Sequence, residues 1–381
     1  MNAISFLRLV ALTTLVFNLQ SGVHAQEKPV DFEKARQIFE RRQRGETISA
    51  EDEAYVRRAM AERQRQQKGG TPGTTPTPPP KWTEHLTPLT ELGTNKHKGE
   101  DGGLYGGGKN EPLKAHLDNA MKEAVRIKPL DAAGNPSTDG KIGLISVGMS
   151  NTTMEYSRFK QLADADPARS PRVVLIDGAQ GGQTGLRWAD PKSPLWQKVD
   201  ERLQTAGLSA KQVQVAWMKQ AEAGPANHGD FPKHAKQLQD SLVKSLANLK
   251  EKFPNLRIVY LSSRIYAGYA TTQLNPEPYA YEEAFTMRWL IQDQIAGKPE
   301  LNFDASRGPV KSPLLLWGPY LWADGMTPRK ADGLVYTRED LSSQDGTHPS
   351  ESGRTKVANL LLNFLKSDST SKTWFTVQTG R

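Results

Sequence analysis

Five short, almost uninterrupted apolar segments constrain this chain more than any other feature: residues 142–147, 173–176, 213–217, 258–261 and 314–317. A strand with one wet face alternates polar and apolar residues, whereas a strand apolar at every position must be covered on both faces. Stretches of helical periodicity lie between them. The clearest is 235–253, with Leu238, Leu242, Leu246 and Leu249 on one face. Leu113, Leu117, Met121 and Val125 recur before the first strand, and a last helix over 352–366 turns Val357, Leu360, Leu361, Phe364 and Leu365 inward. Strand and helix in alternation predict an α/β fold, a parallel sheet of about five strands between two helical layers.

Such sheets bind ligands outside the carboxyl ends of their strands, and the polar motifs of this chain fall there. The first strand runs into Gly148-Met149-Ser150-Asn151-Thr152, the second into Asp177-Gly178-Ala179-Gln180-Gly181-Gly182, and the third into Met218-Lys219-Gln220. The last helix follows Asp345-Gly346-Thr347-His348-Pro349-Ser350. A serine hydroxyl at a strand-to-helix turn becomes a nucleophile when a base removes its proton. An acid three residues before a histidine can hold that base in the required tautomer. Alone, Ser150 also reads as a helix N-cap and Asp345-Gly346 as an ordinary turn. Together they point to acyl transfer.

With Ser150 after the first strand, Gly182 after the second, and Asp345 with His348 before the last helix, the chain resembles the SGNH (GDSL-type) hydrolase superfamily. The resemblance spans roughly residues 110–367, about two thirds of the length. It implies a three-layer, flavodoxin-like fold and hydrolysis of an ester, often of an acyl or acetyl group. Ser150 would be the nucleophile, His348 the general base and Asp345 its orienting acid. The backbone amides of Ser150 and of Gly182, or its neighbour Gly181, would face the oxyanion. Met149 stands where the family usually has an acid. Trp217-Met218-Lys219-Gln220-Ala221 stands where it usually has an asparagine within Gly-x-Asn-Asp. The Gln220 amide or the Lys219 ammonium would then supply the third oxyanion donor.

Four more residues at the same sheet edge are candidates for contact with substrate. Tyr266, Trp317 and Trp322 could stack on sugar rings or pack in the core, and Arg264 could hold an acidic group. An ester of an acylated carbohydrate is the expected substrate. No zinc-protease helix, P-loop or dinucleotide fingerprint is present, and His228 and His234 lack a third ligand at metal spacing, so neither metal nor cofactor is expected.

The 381 residues carry a net charge of +8, but Lys and Arg are interspersed with Asp and Glu, which argues against a nucleic-acid partner. The absence of cysteine excludes disulfides and thiolate metal sites. Residues 1–25 read as a signal peptide: Arg8, an apolar run over 9–17 too short for a permanent span, and Val23-His24-Ala25 before the cut. The mature chain, without a membrane span, is expected in the periplasm or outside the cell. Residues 26–68 form a charged helical segment with Ser49 as a cap, 69–81 a Gly/Thr/Pro-rich linker, and 82–375 the hydrolase-like domain. For the glycine-rich stretch 82–110 the sequence leaves order and disorder both open. Three other functions compete: a degenerate carbohydrate-binding or scaffold protein, an acyltransferase with the same triad, and a module tethered through residues 27–68. The oligomeric state is not legible.

Overall fold

The computed structural model describes residues 82–377 throughout and, before them, 30, 31, 34, 35, 38, 48–56, 58 and 59. The expected signal peptide and the whole of the expected linker lie outside the described residues. The chain divides into two compact units, Met1–Thr77 and Pro78–Arg381. In the first, the Ser49 hydroxyl accepts from the Asp52 amide at 3.0 Å, as a helix N-cap does. Of its described apolar residues, Ala35, Ile38, Val56 and Ala59 are buried. No helix among the described residues is long and apolar enough to cross a membrane.

In the second unit, residues 82–110 are ordered by hydrogen bonds to the domain. Leu89 N–H donates to Tyr320 Oη at 3.0 Å, Tyr281 Oη to Thr87 O at 2.9 Å and Trp317 Nε1 to Leu104 O at 2.6 Å. The stretch contains a small antiparallel hairpin, β1 (Lys96–His97) and β2 (Glu100–Asp101). Arg288 pairs with Glu100 and Asp101 of that hairpin.

The apolar segments form one parallel sheet of five strands: β3 (Ile142–Gly148), β4 (Val173–Ile176), β5 (Val213–Lys219), β6 (Ile258–Leu261) and β7 (Leu314–Trp317). Their order is β4-β3-β5-β6-β7, the flavodoxin-like 2-1-3-4-5. The helices are α1 (Lys114–Arg126), α2 (Ser150–Asp164), α3 (Gly185–Ala189), α4 (Leu195–Thr205), α5 (Lys233–Lys252), α6 (Tyr279–Ile295), α7 (Glu351–Ser367) and α8 (Lys372–Phe375). Helix α2 packs on α7, which meets α8 and through it α1, while α3, α5 and α6 pack together. Two helical layers therefore enclose the sheet. The chain steps from β3 to β4 in one direction and from β5 to β6 and β7 in the other; with right-handed crossovers that reversal puts helices on opposite faces.

Every residue of β3, β5, β6 and β7 is buried, which is why these segments lack alternation. Leu238, Leu242, Leu246 and Leu249 of α5 face the core as the periodicity predicts. Helix α1 departs from its predicted face. Leu113 and Val125 are exposed, and His116, Ala120 and Ala124 form the buried stripe instead. The alanines let the helix lie close, and His116 Nε2 meets Leu315 O at 2.8 Å, so packing distance and a hydrogen bond outweigh the leucine pattern.

Candidate active site

Strand β3 becomes helix α2 across one residue, Met149, whose extended backbone (φ −96°, ψ −163°) leaves Ser150 as the first helical position. The turn is tight. A Cβ on Gly148 would stand 2.3 Å from Lys219 O and equally close to Thr152 Oγ1, which donates to that carbonyl at 2.7 Å. Only glycine fits there. Met149, at the position of the missing acid, is buried.

The loop before α7 brings its histidine to this turn. Ser150 Oγ lies 2.8 Å from His348 Nε2, and His348 Nδ1 lies 2.5 Å from Asp345 Oδ2. Asp345 Oδ1 also accepts from the amides of Thr347 at 2.9 Å and His348 at 3.0 Å. Partial burial alone would raise the Asp345 carboxyl, but the His348 ring and these two amides outweigh it and hold the carboxyl down to about 2. An ionised Asp345 keeps the proton on Nδ1, so Nε2 presents its lone pair to the Ser150 hydroxyl. Gly346 makes the loop possible. It adopts φ +62°, and a Cβ there would lie 1.9 Å from Tyr269 O.

On the other side of Ser150 stands the loop after β4. A Cβ on Gly181 would sit 3.9 Å from Ser150 Cβ, whereas one on Gly182, at φ +74°, would meet nothing within 4 Å. Gly181 is thus the glycine beside the hydroxyl. Among the described residues neither glycine amide donates a hydrogen bond. The first amides of a helix likewise lack intrahelical partners, and they carry the positive end of the helix dipole. Ser150 therefore stands among unspent N–H groups.

The remaining candidates are placed differently. The ammonium of Lys219 is 1% exposed and contacts both carboxylate oxygens of Glu155, itself fully buried. It is spent on an ion pair rather than offered to an oxyanion. Burial pushes the Lys219 ammonium down to about 8 and the Glu155 carboxyl up, and their contact opposes both shifts. Gln220 Nε2 donates to Gln183 O at 3.2 Å and its Oε1 accepts from the Ala221 amide at 3.0 Å, so this amide too is engaged within the protein.

Of the two readings of Trp317 and Trp322, sugar platform or core packing, the structure shows core packing. Both rings are buried in the core, with Trp317 Nε1 donating to Leu104 O and Trp322 Nε1 to Glu277 Oε1 at 2.8 Å. Tyr266 packs edge-on against Tyr269 and Trp322 and is 8% exposed. Arg264 is buried as well, and no hydrogen bond or ion pair among the described residues reaches it.

Two residues at the site were not assigned roles from sequence. Asn151 Nδ2 donates to Thr347 O at 2.9 Å, and Glu155 anchors Lys219 from the helix that begins with Ser150. Asn151 had a signal in its place between the nucleophile and the helix. Glu155 had none, because its partner lies on another strand.

No protein-family model matches this chain, and no curated protein matches it. Among solved structures, the YxiM protein of Bacillus subtilis is 13% identical, with 61% of this chain and 57% of that chain covered and a TM-score of 0.31. A gut microbial diltiazem-metabolizing enzyme is 16% identical over 58% of this chain and 46% of that one, TM-score 0.33. A protein of Arabidopsis thaliana is 15% identical over 56% and 67%, TM-score 0.30. The chain thus spans about half the length of the first two. At likenesses this low, function has to be read from the site itself.

Proposed function

We propose that this protein is a serine ester hydrolase of the SGNH kind, acting through an acyl-enzyme and removing acyl groups from a carbohydrate or other small ester. The observation that carries the reading is the continuous relay Ser150 Oγ, His348 Nε2, His348 Nδ1, Asp345, with contacts of 2.8 and 2.5 Å. Proton transfer requires that reach.

Ser150 Oγ attacks the ester carbonyl carbon while its proton passes to His348 Nε2. The negative oxygen of the tetrahedral intermediate is received by the Ser150 amide and the free amide of Gly181 or Gly182. Collapse breaks the carbon–oxygen bond to the alcohol, which takes the proton from His348 as it leaves. Water then loses a proton to the same nitrogen, attacks the acyl-serine, and releases the acid and the free Ser150 hydroxyl. Asp345 stabilises the imidazolium that forms in each half.

Purified protein should hydrolyse an aryl acetate and react with a fluorophosphonate. Ser150→Ala should abolish both while the thermal transition stays in place. Hydrolysis by the variant at the parent's rate would dismiss the mechanism. Transfer of the acyl group to a sugar faster than to water would reassign the same relay to an acyltransferase. The composition of residues 1–25 supports export, which cell fractionation tests.

A further inference from the structure

Four cations are buried among the described residues: Lys219, Arg264, Arg288 and Arg329. Three have carboxylate partners, Glu155 for Lys219, Glu100 and Asp101 for Arg288, and Asp332 for Arg329. Arg264 is the exception. It is 4% exposed, its Nε and Nη2 are enclosed without an acceptor, and no carboxylate pairs with it. A buried charge left unpaired is costly, and folds rarely retain one without use.

The surroundings sharpen the point. Arg264 lies near enough to Glu155 and to Glu283 to pull on both carboxyls. Glu155 is taken by Lys219. Glu283 accepts from Asn275 Nδ2 at 2.8 Å through one oxygen, while its Oε2 and Asn275 Oδ1 are buried without partners. Burial pushes the Glu283 carboxyl up, against the pull of Arg264, and the two make no ion pair. Beside the Lys219–Glu155 pair, Arg264 thus lacks the acceptor that a guanidinium fork needs.

Its position is also informative. Gly148, two residues before Ser150, pairs with Lys219, and Met218 pairs with Leu261, three residues before Arg264. Neighbouring strands are about 4.8 Å apart, so two strand steps put β6, whose end leads into Arg264, roughly 10 Å from the nucleophile's strand. The segment that follows Arg264 touches the acid's loop: Thr271 N–H donates to Asp345 O at 2.8 Å.

We infer that Arg264 is the anchor for an oxyanion on the substrate, a carboxylate or sulfate carried by the same molecule as the ester, so that the enzyme selects acylated acidic sugars over neutral ones. The inference rests on the ester-hydrolase reading for its chemistry, but the anion site is testable without turnover. Guanidinium binds such groups bidentately, which gives orientation as well as charge.

Acetate release would be compared between O-acetylated galacturonate and its neutral carboxyl methyl ester, with wild type, Arg264→Gln and Arg264→Lys. Wild type should favour the acid by roughly 10- to 100-fold in kcat/KM, mostly through KM. The preference should collapse toward one in Arg264→Gln and persist in part in Arg264→Lys. No charge preference in wild type, or an unchanged one in Arg264→Gln, overturns the assignment; the wild-type comparison decides even where the variants do not fold. In parallel, calorimetric titration of wild type with galacturonate, galactose 6-sulfate and galactose reads the site directly. Binding of either anion but not galactose supports it, and which anion binds tells carboxylate from sulfate. Equal binding of all three, or of none, overturns it. A protein that binds the anion yet hydrolyses no ester would sink the esterase reading alone.

Discussion

The side-chain amide of Asn151 donates to the main-chain carbonyl of Thr347 at 2.9 Å, tying the residue after Ser150 to the residue before His348. Both partners are buried, at 2% and 1% exposure. Asn151→Ala leaves the Thr347 carbonyl unsatisfied, at a cost of about 1–3 kcal/mol. It also frees the base loop to shift against the nucleophile's helix, and a displacement of about 1 Å costs on the order of 100-fold in rate. Aryl acetate hydrolysis should fall chiefly in kcat, with the loss in stability visible by denaturant titration. A folded variant with parental kcat would mean that the bond does not position the relay.

Gly346 carries the other constraint on that loop. Any side chain at φ +62° is strained, and here it would also strike the Tyr269 carbonyl. Gly346→Ala should therefore destabilise by about 2 kcal/mol or more and separate Asp345 from its bonds to His348, lowering kcat and stability together. Unchanged activity and stability would show that the loop tolerates another path.

The ion pair of Lys219 with Glu155 should be expensive to halve and cheap to replace. Lys219→Met alone strands a buried carboxylate, for which about 3–5 kcal/mol is expected; Lys219→Met combined with Glu155→Leu should recover most of that loss. Additive losses in the double variant would indicate that each side chain acts independently.

These groups differ in how far the sequence reveals them. The sheet was legible because strands covered on both faces must be apolar throughout, and β3 to β7 lie where those runs occur. The relay was legible because Asp345 and His348 are three residues apart and Ser150 follows a strand, so local motifs carry the chemistry. The burial of α1 was not legible, since alanines and a hydrogen-bonded histidine give no apolar stripe. Lys219 read as a free cation because Glu155, 64 residues away, reveals itself as a partner only when β5 lies beside β3. The tryptophans read as ligand platforms or, more commonly for such residues, as core, and their indole N–H partners lie within the protein.

Asp345 supplies a test in which the sign of a pH effect is fixed in advance. Its carboxyl is held down to about 2 in the folded protein, below the ordinary aspartate value of 3.8. A depressed carboxyl contributes stability that is fully present above the unfolded value and is lost as pH falls through the folded one. The contribution should hold above about pH 5 and fade between roughly pH 4 and 2. Asp345→Asn lacks it at every pH, so the stability gap between parent and variant should be widest near neutrality and close on acidification. The same variant presents an amide where the His348 ring needs an acceptor. If its side-chain N–H turns toward Nδ1, the proton moves to Nε2 and the Ser150 hydroxyl loses its base. kcat should then fall by roughly 10³- to 10⁴-fold with KM little changed. A stability gap that does not vary with pH would show that Asp345 is not held ionised by its contacts with the base loop, and the assignment of the base would fall with it.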